Sequence, residues 1–274
     1  MATLRQYYGD PGVPLVINGD PHDAVTAWNS QRARMHDWLD ALPDGQWNGP
    51  TRCEGWDTAL LVRHLSSATQ FLAYTLAEAS GGTTTMLLQG MDTRTSVASA
   101  AEMLGDRTPV EARAFLAAMD AKVEASLTEL GEDGLATMAE APPGHMAVDL
   151  IMRHFLFDSW VHEYDLMVLR GEQPVVDPLE AAAVVAYLIG FASVETDRPL
   201  PLDLRIGDPD LRIGVDLVDG TVTITEGQVP NGAAVIEGHA VDVVDRMCGR
   251  ACGTVDGDDA GLRILDEFAL VLAT

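Results

Sequence analysis

The stretch VDLIMRHFLFDSWVHEYDLMVLR, Val148–Arg170, decides the reading of this chain. Its apolar content and spacing predict a helix, yet it carries His154, Asp158, His162 and Asp165. Successive members of this set are four, four and three residues apart, which places them on one helical face. Polar groups in so apolar a helix need partners, because buried charge is costly unless it is paired or bound to a metal. Asp158 and His162 can point two ligand atoms at one divalent ion, with a third ligand supplied from elsewhere. The competing reading is a hydrogen-bonded Asp–His pair that stabilises the helix.

Outward from this stretch, the totals bound the answer. The chain has 274 residues, 47% of them apolar, which suffices for two ordinary domains or one large one. No run of about 18 uninterrupted apolar residues occurs, so no transmembrane helix is expected. The opening MATLRQYYGDPGVPLV lacks a signal-peptide pattern. Three cysteines, Cys53, Cys248 and Cys252, are too few for a disulfide framework, and a cytoplasmic location is expected. The net charge of −25 argues against nucleic-acid and membrane partners, because such a surface repels phosphate. A small-molecule substrate is expected, acting on a monomer or small homo-oligomer.

Residues 1–20, with Gly9, Pro11, Gly12, Pro14 and Gly19, read as an extended arm. Asp20-Pro21 opens a helix that runs to Pro43. The following loop, GQWNGPTRCEGW (Gly45–Trp56), is too rich in tryptophan for a solvated linker and should pack on the helices. Asp57 can cap the next helix, which stops at Gly81-Gly82, with Leu61, Leu65, Phe71, Leu72 and Leu76 in one stripe. His64 lies beside that stripe. Residues 83–106 read as a Thr-rich loop and then a short helix. Thr108-Pro109-Val110-Glu111 is a capping box opening a helix to about Leu130. With the Val148–Arg170 helix, four long helices are predicted, a four-helix bundle.

Gly171 and Pro174 mark a boundary, so the domains are read as 1–172 and 173–274. A helix over about Pro178–Val194 opens the second. The apolar period then changes from helical to alternating: LDLRIG, DLRIGVDL, TVTITE and AAVIEG predict strands, with Asp219-Gly220 as a hairpin turn. Closing helices are expected over Ala240–Arg246 and Gly261–Leu272. The fold class is α+β in two domains.

His64 is the natural third ligand, completing a set of two histidines and one carboxylate that leaves a position open for water or a thiol. The alternative is a core histidine satisfied by hydrogen bonds. Trp47-x-x-Pro50-Thr51-x-Cys53-x-Gly55-Trp56, with His64 eight residues on, resembles the N-terminal signature of the mycothiol-dependent maleylpyruvate isomerase family, of the DinB-like metalloenzyme superfamily. The later DSWVHEYDL resembles the family's second signature, and the segment from AAVIEGHAVDVVDRMCGR onward resembles its second, sterol-carrier-like domain. The resemblance implies a DinB-like four-helix bundle followed by a small α+β domain. It implies that His64, Asp158 and His162 hold a divalent metal, zinc first, and that mycothiol is the thiol cosubstrate. The family's carboxylate is commonly Glu; Asp158 is shorter by ~1.5 Å.

Asp165 can support a ligand histidine, and His154 is a weaker alternative ligand. Cys53 reads as a packed free thiol. Trp47 and Trp56 brace their loop, Trp56 being placed at the rim of a cleft where a cofactor would sit. Arg246 and Arg250 can clamp a substrate carboxylate, the alternative being surface arginines on a very acidic chain. There is no phosphate loop, dinucleotide fingerprint or Gly-x-Ser-x-Gly elbow. The expected function is a metal-dependent enzyme that activates a low-molecular-weight thiol for isomerisation or S-transfer. Alternatives are a repurposed tailoring enzyme of secondary metabolism, with or without metal, and a non-catalytic small-molecule binding protein.

Overall fold

The computed structural model describes residues 14–88, 93–195 and 201–272. In chain order its elements begin with β1 (Leu15–Ile17), α1 (His22–Ala41), α2 (Thr58–Ser80), α3 (Thr93–Met103) and α4 (Pro109–Leu130). A short hairpin, β2 (Met138–Ala141) and β3 (Gly144–Ala147), leads into α5 (Val148–Met167) and then α6 (Pro178–Glu195). The chain closes with β4 (Leu202–Gly207), β5 (Asp210–Val218), β6 (Thr221–Glu226), β7 (Ala234–Gly238), α7 (Ala240–Met247), β8 (Val255–Gly257) and α8 (Asp259–Leu272). The fold is mixed α+β, with two compact units. Trp28–Val175 is helical; the segment up to Ala27 joins Val176–Thr274 around a sheet.

In the helical unit the start signals act as their chemistry requires. The Asp57 carboxylate accepts the Leu60 N–H at 2.8 Å. Thr108 and Glu111 cap each other reciprocally, with Pro109 in the first turn where its missing N–H costs nothing. Helices α1, α2, α4 and α5 share one core: Met35, Leu39 and Leu42 meet Leu61, Val62 and Leu65, Ala112 and Leu116, and Leu166. Trp47 is buried in the same cluster, so the tryptophan-rich loop is indeed packed. The short helix expected within 83–106 is α3; residues 89–92 lie outside the described residues.

Helix α5 is buried on nearly every side, and its second polar row was not singled out from sequence. Ser159 and Glu163, one residue beyond Asp158 and His162, turn toward α1 instead of α2. Glu163, 1% exposed, accepts the Arg34 guanidinium through Nε and NH2, both at 2.8 Å, and Gln31 Nε2 at 2.9 Å. Ser159 donates to Gln31 Oε1 at 2.7 Å and accepts from Arg32 NH1 at 3.0 Å. Arg32 then forks onto Asp120 of α4, which also meets His36 Nε2 at 2.6 Å. This chain of bonds ties three helices together across the core.

Burial alone would raise the Asp120 carboxyl; His36 and Arg32 outweigh it and hold the carboxyl below its usual range. A depressed carboxyl stabilises the fold above the unfolded value of about 4, and that contribution fades as pH falls through the folded one. Urea unfolding of wild type and Asp120→Asn is therefore expected to show a stability gap at pH 7 that shrinks below about pH 4. A gap independent of pH would contradict the assignment.

In the other unit, six strands form a sheet in the order β1-β6-β5-β4-β7-β8. The β5–β6 hairpin turns at Asp219 and Gly220, both at positive φ (51° and 77°), as a tight two-residue turn requires. Alternation puts Leu204, Ile206, Ile213, Val215, Val222, Ile224 and Ile236 on the buried face. Helix α6 packs on β1, β5 and β6. Gly190 permits this approach, since a Cβ there would lie 2.9 Å from a Leu15 methyl. By length and hydropathy α6 could span a membrane, but 72% of it is buried inside the protein.

One assignment is corrected. The sequence reading placed residues 1–20 with the helices, as an arm. Strand β1 instead pairs in parallel with β6, Leu15 opposite Val222 and Ile17 opposite Ile224. Three apolar residues are too short to show a period. Their backbone groups find hydrogen-bond partners on β6, some two hundred residues further along the chain. Residues 1–13 lie outside the described residues.

Candidate metal centre

The site lies between α2 and α5 in the helical unit. Asp57 starts α2 so that His64 falls on its second turn, beside the buried Leu61 and Leu65 and itself only 8% exposed. From α5, Asp158 and His162 face it, one turn apart. Asp158 Oδ1 is 3.4 Å from His64 Nε2 and 3.6 Å from His162 Nε2. The two imidazoles stand edge to face, centroids 4.9 Å apart, and the three ligand atoms lie within 4.8 Å of one another.

At 3.6 Å the Asp158–His162 contact is too long for a hydrogen bond, and the Asp158–His64 one, at 3.4 Å, is a long one. Two ligand atoms each ~2.1 Å from a common ion at tetrahedral angles stand ~3.4 Å apart. The set therefore has the spacing of a group that could share one ion. Burial opposes ionisation of Asp158, but the charge and hydrogen bond of His64, then His162 and His154, outweigh it and hold the carboxyl below its usual range.

Next to this trio lies a second cluster built on the other nitrogen of His162. Its Nδ1 is 2.8 Å from Asp165 Oδ2, and the Cys53 thiol donates to the same oxygen at 3.2 Å. Asp165 is fully buried, and the Arg52 guanidinium meets its other oxygen through Nε at 3.0 Å. Arg52 also donates its backbone N–H to the Asp165 carbonyl at 3.1 Å. Cys53, His162 and Asp165 have the donor types of a metal site. The guanidinium, however, already supplies the positive charge there, so this cluster reads as hydrogen-bonded support. Arg52 was missed from sequence; its one signal is its place between Thr51 and Cys53 in an over-apolar loop.

The other expected residues are placed as follows. Trp56 packs its ring edge-on against His64, centroids 5.5 Å apart, in a loop closed by the Thr51 hydroxyl donating to the Trp56 carbonyl at 2.9 Å. Among the described residues His154 joins neither converging group. Burial lowers its pKa to about 4 against the opposing charge of Asp158, and its ring rests on Phe155. Arg246 and Arg250 belong to the sheet unit. Arg246, in the last turn of α7, is ion-paired to Asp266 at 2.7 Å. The backbone N–H of Arg250 bonds the Asp245 carbonyl at 2.8 Å. None of the three cysteines is in a disulfide.

Fold and site together define a class: a helical unit holding two histidines and one carboxylate between two of its helices, joined to an α+β unit. The family model described as the mycothiol maleylpyruvate isomerase N-terminal domain matches residues 28–167, half of the chain, with His64, Asp158 and His162 inside the match. The chain belongs to this family, as its two signatures led one to expect. A crystal structure of the mycothiol-dependent maleylpyruvate isomerase aligns with a TM-score of 0.63 at 15% identity, covering 87% of this chain and 92% of that one. A structure of a histidine-to-alanine mutant of that enzyme aligns with a TM-score of 0.62 over the same shares. At this identity the likeness establishes the fold. No curated protein sequence matches the chain.

Proposed function

We propose that this chain is a metal-dependent enzyme using a low-molecular-weight thiol of the mycothiol type to isomerise a small electrophilic substrate. Membership of the isomerase family supports the reaction class. The observation that carries the metal is the convergence of His64 Nε2, Asp158 Oδ1 and His162 Nε2. Two imidazoles and one carboxylate suit zinc first, and three protein ligands leave a position open. When bound, the ion would supply the Lewis acidity that stabilises a thiolate near neutral pH.

The chain's own groups do the rest. One carboxylate ligand leaves a divalent site with net positive charge, which favours an anionic sulfur. Trp56, packed on His64, shields that histidine. Addition of the thiolate to an electrophilic carbon, rotation and elimination give isomerisation; retention of the adduct would give S-transfer. Arg246 or Arg250 would bind a substrate carboxylate, Arg246 by giving up Asp266. In this reading the helical unit is a DinB-like bundle and the sheet unit a sterol-carrier-like domain. A binding protein in which Asp158 and His162 merely hydrogen-bond is opposed by their 3.6 Å separation.

Elemental analysis tests the proposal. Protein purified with zinc present and then desalted is expected to retain about one ion per chain. Retention below a tenth of that would sink it.

A further inference from the structure

A histidine can serve a metal only through a nitrogen that carries a lone pair, and a neutral imidazole has one such nitrogen. His162 has a carboxylate beside each. Asp158 Oδ1 is 3.6 Å from Nε2, whereas Asp165 Oδ2 is 2.8 Å from Nδ1. The shorter contact is a true hydrogen bond and the longer one is not. An ionised carboxylate only accepts, so Nδ1 must donate, and the lone pair falls on Nε2.

Asp165 can do this because of how it is held. It lies three residues after His162, so on a helix its carboxylate reaches back along the same face. With no exposure, its charge would be costly unless compensated. The compensation comes from Arg52, 113 residues away in sequence, which grips the carboxylate through Nε and the Asp165 carbonyl through its own N–H. The Cys53 thiol adds a donor to Oδ2, which casts it as support and not as a nucleophile.

We infer that Asp165 and Arg52 are positioning residues: their ion pair sets His162 in the tautomer protonated at Nδ1 and turns its Nε2 lone pair to the space between His64 and Asp158. The Thr51–Cys53 loop is thereby part of the site, with the Cys53 Sγ 3.8 Å from His162 Nδ1. The metal half of this inference rests on the proposed function; the tautomer half does not.

The test uses the full-length, metal-free protein. A long-range proton–nitrogen NMR spectrum of ¹⁵N-labelled wild type, with His162 assigned by its loss in His162→Gln, is expected to show the proton on Nδ1. In Asp165→Asn, Arg52 claims the amide oxygen and the amide NH2 turns to Nδ1, so the proton should move to Nε2. Zinc chloride titration of that variant is expected to give a Kd raised 10- to 100-fold. Arg52→Lys, which keeps the charge, should retain the wild-type tautomer and a Kd within a few-fold. A purely structural role would lower the melting temperature of Asp165→Asn and leave tautomer and Kd alone, and that result overturns the inference. So does a wild-type spectrum with the proton on Nε2, a readout that needs no variant of Asp165 to fold. If wild type binds no zinc, the proposed function fails while the tautomer is still decided.

Discussion

His64→Ala is expected to weaken zinc binding by at least ~100-fold while the chain stays folded, because it removes one of the three proposed ligands, a larger loss than that of a supporting partner. His64 is the only proposed ligand from α2; the other two share α5 and hold their mutual geometry without it. The variant leaves Asp158 Oδ1 and His162 Nε2 3.6 Å apart, a pair able to chelate weakly but not to close a site. The fold should survive, since Leu61, Leu65, Leu72 and Leu76 of α2 are all buried to 1% or less and the Asp57 cap is untouched. The cost is a cavity beneath Trp56, on the order of 1–3 kcal/mol. Isothermal titration with zinc chloride and thermal melts of the metal-free protein separate the two effects. Unchanged zinc affinity in a folded variant would remove His64 from the site, and with it the proposed metal chemistry.

Glu163→Ala should produce a large loss of stability, about 3–5 kcal/mol, the range expected when one partner of a buried pair is removed. The substitution strips two acceptor contacts from Arg34 and one from Gln31, which has no exposure of its own. Gln31 also receives the Ser159 hydroxyl, so the disturbance passes to Arg32 and Asp120. In thermal melts the midpoint should fall by about 10 °C. Arg34→Ala should cost at least as much, because it leaves the Glu163 carboxylate, 1% exposed, without its guanidinium, whereas Arg34, 24% exposed, can turn to water when Glu163 is lost. A fall of less than 1 kcal/mol for Glu163→Ala would mean that the network relaxes freely and does not brace α5.

These two residues are neighbours of unlike legibility. The pair Asp158 and His162 could be read from spacing because a helix alone puts them on one face. Glu163 and Ser159 have the same four-residue spacing and were passed over, because an i, i+4 pair says nothing about which neighbour will cover it. His64 could be proposed from its place beside an apolar stripe and from the tryptophan-rich signature before it. Arg52 could not: an arginine in a loop is ordinary until the carboxylate it meets is known to be buried. The carboxylate departure, Asp where the family commonly has Glu, raised a question of reach that only distances could address. Oδ1 stands within 3.4–3.6 Å of both imidazoles.

What local chemistry controls is legible in the residues themselves. The caps at Asp57 and Thr108, the stop at Gly81-Gly82, the turn at Asp219-Gly220 and the change from helical to alternating period are set by residues within one or two turns of one another. So is the shared face of Asp158 and His162. Tertiary structure alone decided the rest: that β1 completes a sheet against β6, that α1 clasps one side of α5 while α2 clasps the other, and that Arg52 turns Asp165 into the orienting partner of His162. Those outcomes depend on which buried groups find a partner when distant segments pack, and a buried charge takes the partner that packing delivers, however far along the chain it lies.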